Sequence, residues 1–188
     1  QSRRFQGRNK SLVRLHGKTI LEHQLRVLQP LFSKILLITN ERNDFSGDDR
    51  LEIVGDIIRN KGPLGGIHSG LVNSDKDFIF VFAGDMPFLD PEIITQQAAC
   101  VDKSAWEAVI PQTPEGIEPL HGIYSQTIKP RLEAFFNKSD HYAVRQFLKG
   151  LQTFYWSVPS HHAFININSE EELMYYEEYT HRQDKKWK

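Results

Sequence analysis

The chain has 188 residues, 39% of them hydrophobic and 11% aromatic, which is enough apolar material to bury the core of one domain. Its 23 Lys and Arg residues are balanced by 24 Asp and Glu residues, so no broad basic surface for nucleic acid is expected. No apolar run approaches the roughly 18 residues that a membrane-spanning helix needs. The single Cys100 cannot form an internal disulfide, which favours a reducing compartment, most simply the cytoplasm.

The first predicted element is a helix over residues 19–28, where apolar side chains recur at helical spacing and Pro30 ends the pattern. The polar segment before it begins at Gln1 without a strand. Because nucleotide-binding α/β proteins commonly cradle phosphate in a glycine-rich turn after their first strand, we expect such a strand and loop upstream of Gln1.

Two short buried strands follow, over residues 35–38 and 51–55, and each is followed by a polar residue, Asn40 and Asp56. The run 62–66, Gly-Pro-Leu-Gly-Gly, predicts a glycine-rich loop that leads into a helix. On local sequence alone these residues are equally suited to capping, turns or a tight connection.

Asp85 follows the most apolar run of the chain, residues 78–83. Six consecutive aromatic, β-branched or small residues predict a central strand covered on both faces, as in parallel α/β sheets. Ligands of such sheets bind beyond the carboxyl ends of the strands, so Asp85 is a candidate ligand for a metal ion on the same rim as Asn40 and Asp56. The alternative is an ordinary turn or capping aspartate.

Predicted helices and strands continue to alternate in the second half of the chain. Asp90, Pro91 and Glu92 form an N-cap pattern for a helix that runs toward Cys100. Strands are predicted at 108–110, 118–124 and 153–158, and helices at 128–136 and 143–148.

The closing segment 164–168 predicts a strand on which Asn166 and Asn168 share one face, because side chains two apart point the same way. A capping box at residues 169–172 then starts a last helix toward Tyr179, followed by a charged tail over 181–188. The two asparagines could equally satisfy a sheet edge and the helix start.

These elements predict an α/β fold: a three-layer αβα sandwich around a mostly parallel, Rossmann-like sheet. We expect a single nucleotidyltransferase domain over residues 1–188, with a nucleotide-binding half at 1–102, an acceptor-substrate half at 103–180 and the tail beyond.

Several motifs together resemble the molybdenum cofactor guanylyltransferase family, within the nucleoside-triphosphate transferase fold. The run 2–10 is similar to the second half of the family's first motif, with Asn9 where Asp is more usual. Residues 119–124, Pro-Leu-His-Gly-Ile-Tyr, are similar to a strand of the second half, and residues 166–173 to the closing Asn-x-Asn-Thr-x-Glu-x-Leu motif.

The resemblance implies transfer of GMP from GTP to molybdopterin with Mg²⁺ as cofactor, and transient contact with cofactor-biosynthesis or acceptor proteins. It implies catalytic roles for Lys10 on the phosphates and Asp85 on Mg²⁺, and an acceptor-binding role for Asn166 and Asn168. The implied nucleotide-binding residues, besides these two catalytic ones, are Arg4, Gly7, Asn40, Asp56, Gly62, Pro63, Leu64 and Gly65.

The sequence is also compatible with three other functions. A cytidylyl- or uridylyltransferase would keep the chemistry and change the base or the phosphorylated acceptor. A signalling receiver would use Asp85 as a phosphoacceptor, although Met86 and Pro87 follow it directly and the chain is too long. A non-catalytic module would bind nucleotide without turnover.

Overall fold

The computed structural model describes residues 9–41, 51–102, 105–138 and 142–184, without the side chains of 179–184. Arg4 and Gly7, two of the predicted nucleotide-binding residues, lie outside these ranges.

The strands and helices alternate along the chain. The strands are β1 (Arg14–Leu15), β2 (Lys18–Thr19), β3 (Leu36–Ile38), β4 (Glu52–Val54), β5 (Phe78–Phe82), β6 (Ala108–Thr113), β7 (Gly116–Ile117), β8 (His121–Ser125) and β9 (Thr153–Ser157). The α-helices are α1 (Ile20–Leu28), α2 (Pro63–Val72), α3 (Pro91–Ala99), α4 (Lys129–Lys138), α5 (Val144–Leu148) and α6 (Glu170–Asp184).

The chain forms two compact units. The first unit combines Gln1–Leu31, Ala83–Pro91 and His161–Lys188. The second combines Phe32–Phe82 and Glu92–Ser160. The described residues before Phe32, the described residues after Ser160 and the Asp85 turn therefore belong to the same unit.

The second unit contains a five-stranded sheet in the order β5-β8-β6-β7, with β9 on the other side of β6. The β5–β8, β8–β6 and β6–β7 pairs are antiparallel, and the β6–β9 pair is parallel. Strands β3 and β4 pair in parallel as a separate ladder of the same unit. The α/β class is confirmed, but the pairing within the larger sheet is mostly antiparallel and not mostly parallel.

The pairing is mostly antiparallel because β8, from the second half of the sequence, lies between β5 and β6. Strands β5 and β6 still share a direction because each is antiparallel to β8. In the described part of the chain β5 ends the strand order, and its five residues are half-buried. Among the described strands β5 thus lies at an edge, whereas the sequence predicted a central strand covered on both faces.

The core of the second unit packs α2, α4 and α5 with the sheet. Its buried members include Leu64, Ile67, Leu71, Ile110, Tyr124, Ile128, Leu132 and Leu148.

A buried polar pair also lies within this unit. Gln97 Oε1 is 2.9 Å from His121 Nδ1, and the rings of Phe80 and Phe82 contact the His121 ring edge-on.

The first unit contains a β1–β2 hairpin whose two-residue turn places His16 and Gly17 at positive φ (51° and 79°), as tight hairpins require. Thr19 then caps α1 in a reciprocal box with Glu22. Leu15, Ile20 and Ile167 are buried together in this unit, with Phe88, Leu173 and Tyr176 packed against them.

Most predicted elements are confirmed with small changes at their ends. Two further predictions, of a closing strand and of a glycine-rich loop, were wrong. The segment 164–168 is not a strand, because residues 162–164 form a 3₁₀ turn and residues 165–168 make no strand pairing. Residues 63–66 are not a loop, because α2 already begins at Pro63.

Candidate active site

Lys10, Asp85 and Asn168 converge in the first unit although they are widely separated in sequence. The Lys10 ammonium donates one hydrogen bond to Asp85 Oδ2 at 3.0 Å and another to Asn168 Oδ1 at 2.5 Å. The Asp85 side chain is 17% exposed and that of Lys10 39%, so this charge pair is partly shielded from water. The sequence motifs predicted all three residues, and the structure brings them together.

Lys10 begins a short 3₁₀ helix, Lys10–Leu12, that Asn9 caps. Asn9 Oδ1 accepts hydrogen bonds from the Ser11 N–H at 3.3 Å and from Ser11 Oγ at 2.7 Å. An asparagine oxygen provides this cap as an aspartate would, so the departure of Asn9 from the usual family residue preserves the local structure.

Asn168 is placed by the start of the last helix. Its backbone N–H donates to Glu172 Oε2 at 2.6 Å, while the Glu172 N–H donates to Ser169 Oγ at 3.2 Å. The predicted capping box is thus present in a shifted form, with the Glu172 carboxylate on the residue before Ser169. Asn166 behaves differently, because its amide donates weakly to the nearby Phe164 carbonyl at 3.4 Å.

Asn40 and Asp56 form a second cluster, in the second unit. Asn40 Nδ2 donates to Asp56 Oδ2 at 3.0 Å, and the Asp56 N–H donates to Asn40 Oδ1 at 3.1 Å. They follow the parallel strands β3 and β4, whose carboxyl ends lie side by side. This confirms the shared rim for these two residues, whereas Asp85 lies in the first unit.

Two glycines of the Gly62–Gly66 segment occupy positions where the backbone requires glycine. Gly62 precedes α2 with φ of 54°, and Pro63 occupies the first turn, where its missing N–H costs nothing. A Cβ on Gly65 would lie 3.1 Å from the Ile58 carbonyl oxygen and 3.7 Å from Asp56 Oδ1. The Leu64 side chain is fully buried in the core.

Ser69 is a residue that sequence reasoning missed. Its buried Oγ donates to the Gly65 carbonyl at 2.9 Å and accepts from the Ile57 N–H at 3.0 Å. Ser69 thereby ties the residue after Asp56 to the first turns of α2. A serine on the apolar side of a predicted helix was the available signal.

The donor atoms of the Lys10 cluster fit a hard divalent cation. A carboxylate oxygen of Asp85 and an amide oxygen of Asn168 already face one cation, the Lys10 ammonium. Mg²⁺ prefers oxygen ligands and takes few from the protein, with phosphate and water supplying the others. Among the described residues, no group of three or more His, Cys, Asp or Glu side chains gathers in a metal-binding arrangement.

Comparisons with known proteins identify the family of this chain. The sequence profile of the MobA-like NTP transferase domain matches residues 1–154. A probable molybdenum cofactor guanylyltransferase from Peptoclostridium acidaminophilum is 32% identical over 186 residues, which cover 93% of this chain and 83% of that protein.

Solved structures share the fold. Molybdopterin-guanine dinucleotide biosynthesis protein A from Archaeoglobus fulgidus superposes with a TM-score of 0.80 at 25% identity, over 96% of this chain and 94% of that one. Rv0371c from Mycobacterium tuberculosis, in complex with manganese, has a TM-score of 0.66 at 16% identity over 92% and 93% of the two chains. The chain therefore belongs to the family of MobA-like NTP transferases, and it has their nucleotidyltransferase fold.

Proposed function

We propose that this protein is a guanylyltransferase that transfers GMP from GTP to molybdopterin and releases pyrophosphate. The observation that carries the proposal is the convergence of three residues from separate segments of the chain: Lys10 lies within hydrogen-bonding distance of both Asp85 and Asn168. Relatives named as molybdenum cofactor guanylyltransferases match almost the whole chain, which favours guanine and molybdopterin as the substrates.

In this proposal the two clusters have different tasks. Lys10 neutralises phosphate charge, Asp85 holds Mg²⁺, and Asn166 and Asn168 lie on the acceptor side. The nucleotide is bound by these two catalytic residues together with Arg4, Gly7, Asn40, Asp56, Gly62, Pro63, Leu64 and Gly65. A family relationship supports a divalent metal, and the choice of magnesium follows from the oxygen donors of Asp85 and Asn168.

The reaction is an in-line displacement at the α-phosphorus of GTP. A phosphate oxygen of molybdopterin forms the new P–O bond, the bond to the bridging oxygen of the β-phosphate breaks, and pyrophosphate leaves with its electron pair. Because the attacking phosphate is already anionic, the step needs no general base. Lys10 offsets the charge that repels the two phosphates, and a bound Mg²⁺ would add neutralisation and orientation.

Pyrophosphate release by the purified protein tests the proposal. With Mg²⁺, GTP and molybdopterin we expect stoichiometric pyrophosphate and a product that contains GMP joined to the pterin phosphate. Parallel reactions with CTP, UTP and ATP test the base. A preference for a pyrimidine nucleotide would replace guanylyl transfer by cytidylyl or uridylyl transfer, and nucleotide binding without pyrophosphate would indicate a non-catalytic module.

The location of the reaction is part of the same proposal. No helix among the described residues is long and apolar enough to cross a membrane. We propose the cytoplasm as the compartment, with transient contacts to proteins that supply molybdopterin or accept the finished cofactor.

A further inference from the structure

A buried glutamine of α1 holds the turn that carries Asp85. Gln24 is 5% exposed, and its Nε2 donates to the carbonyl oxygens of Ala83 at 2.7 Å and Met86 at 3.0 Å. These two carbonyls lie on either side of Gly84 and Asp85. Both amide hydrogens of Gln24 are therefore used on a segment about sixty residues away in sequence.

The turn depends on this contact because its own hydrogen bond is weak. The Met86 N–H reaches the Ala83 carbonyl only at 3.4 Å, near the limit for a hydrogen bond. Gln24 is also the one polar member among the buried residues of α1, which are otherwise Ile20, Leu21, Leu25 and Leu28. A buried amide stabilises the fold only when its partners are in place, so Gln24 and the turn constrain each other.

We propose that Gln24 is a positioning residue for Asp85. By fixing the carbonyls on both sides, Gln24 sets the direction of the Asp85 carboxylate toward Lys10 and toward the metal ion of the proposed function, on which this inference rests. Replacing a residue that orients a metal ligand in this way commonly lowers metal affinity or activity by about 10- to 100-fold.

The chain offers a matched control in the second unit. Gln97 is fully buried, and its Nε2 also donates to two backbone carbonyls, those of Val109 at 3.1 Å and His121 at 2.9 Å. Gln97 makes no described contact with the Lys10 cluster. Replacing either glutamine with methionine removes a buried pair of hydrogen bonds to backbone carbonyls, and Gln97→Met also removes the contact with His121 Nδ1. Only Gln24→Met acts on the Asp85 turn.

The experiment compares Gln24→Met, Gln97→Met and Asp85→Ala with the wild type, using Mn²⁺ as the spectroscopic probe. Binding of Mn²⁺ in the presence of GTP is measured by electron paramagnetic resonance, and thermal unfolding is measured in parallel. We expect both methionine variants to lower the unfolding midpoint by roughly 3–10 °C. Only Gln24→Met should weaken Mn²⁺ binding, by roughly 10- to 100-fold, with Gln97→Met within about twofold of wild type.

Equal loss of stability with unchanged Mn²⁺ binding in Gln24→Met would overturn the proposal. If that variant does not fold, Gln24→Asn replaces it, since this side chain keeps the amide but is one methylene too short to reach both carbonyls. It should still weaken Mn²⁺ binding at least about fivefold, and no change would again overturn the inference. Wild-type binding no tighter than that of Asp85→Ala would also overturn it.

A failure of the proposed function would give a different experimental result from a failure of this inference. In that case the wild type would release no pyrophosphate from GTP and molybdopterin, whereas the dependence of Mn²⁺ binding on Asp85 and Gln24 would persist.

Discussion

The backbone N–H of Ile167 donates a 2.9 Å hydrogen bond to the carbonyl oxygen of Asp85. This bond ties the closing motif of the chain to the turn after β5, and it places the next residue, Asn168, where its side chain accepts from Lys10. Three segments that are far apart in the sequence thus share one small cluster, and most of the expected effects of mutation follow from it.

Replacement of Asp85 by asparagine should lower the rate of pyrophosphate release by about 100-fold or more. The variant keeps the size of the side chain but removes the charge that pairs with Lys10 and would hold the metal, an interaction worth several kcal/mol in the transition state. Steady-state kinetics at saturating GTP and Mg²⁺ measure the effect. Asp75→Asn, which removes an exposed carboxylate paired with Lys76, serves as the control. A rate within threefold of wild type would exclude the metal role.

Lys10→Gln should reduce kcat by roughly 100-fold, because the ammonium is the group that offsets phosphate charge during transfer. The affinity for GTP should fall less than kcat if this charge is used mainly in the transition state. Lys18→Gln, at an exposed position of β2, should leave both parameters unchanged. An effect confined to KM would instead assign Lys10 to nucleotide binding alone.

The two asparagines of the closing motif should differ in importance. Asn168→Ala removes a direct acceptor for Lys10 and should lower kcat/KM for molybdopterin about tenfold, a loss of ~1.4 kcal/mol that corresponds to one hydrogen bond to a charged group. Asn166→Ala removes a long local bond to Phe164 and should have the smaller effect. Molybdopterin titrations at fixed GTP measure both, and the reverse order would show that Asn166 is the principal acceptor-binding residue.

The Asn40–Asp56 pair should act as one unit in nucleotide binding. Asn40→Ala removes both hydrogen bonds between the two residues and should weaken GTP binding about five- to tenfold, the equivalent of ~1 kcal/mol. Calorimetric titration of the single variants and of Asn40→Ala with Asp56→Ala closes a double-mutant cycle. Strictly additive losses would mean that the pair does not position the nucleotide cooperatively.

Two glutamates near β7 should affect stability in opposite directions. Burial raises the pKa of Glu118, so the fold favours its neutral form, and its stabilising contribution is lost as the pH rises from about 4.3 through the raised pKa. Hydrogen bonds from Ser160, and then Thr113, lower the pKa of Glu115, so its contribution is present above about pH 4.3 and is lost in acid.

At pH 7 Glu118→Gln should therefore raise the thermal unfolding midpoint, and Glu115→Gln should lower it. Both differences from wild type should shrink as the pH falls below about 4, where each carboxyl is neutral in the unfolded chain. Unfolding curves over pH 3–8 measure this. A constant offset at every pH would indicate packing effects instead of charge.

Much of the fold followed from local patterns. The helices α1 and α3 were predictable because Thr19 and the Asp90-Pro91 pair mark their starts, and the strands because short apolar runs end in polar residues. The strand at β8 was predictable, but its position between β5 and β6 was not. Strand order depends on packing between distant segments, which periodicity does not encode.

The candidate site was likewise predictable only in part. The residue types of Lys10, Asp85, Asn40 and Asp56 were visible in the sequence, and so were the positions of Asp85, Asn40 and Asp56 beyond strand ends. The start of α2 at Pro63 was misjudged because glycines usually mark loops, whereas here Gly62 supplies a positive φ and Gly65 permits a close approach.

The amino-acid sequence by itself determined the alternation of strands and helices, the polar residues at the ends of the strands, and the family motifs. Each of these features depends on residues within a few positions of one another. Only the tertiary structure decided that Asn168 and not Asn166 meets Lys10, that Asp85 is held by Ile167 and Gln24, and that β8 separates β5 from β6. These relationships arise from contacts between residues 59 or more positions apart or from the packing order of whole strands, and no local pattern records which distant partner satisfies a given donor or acceptor.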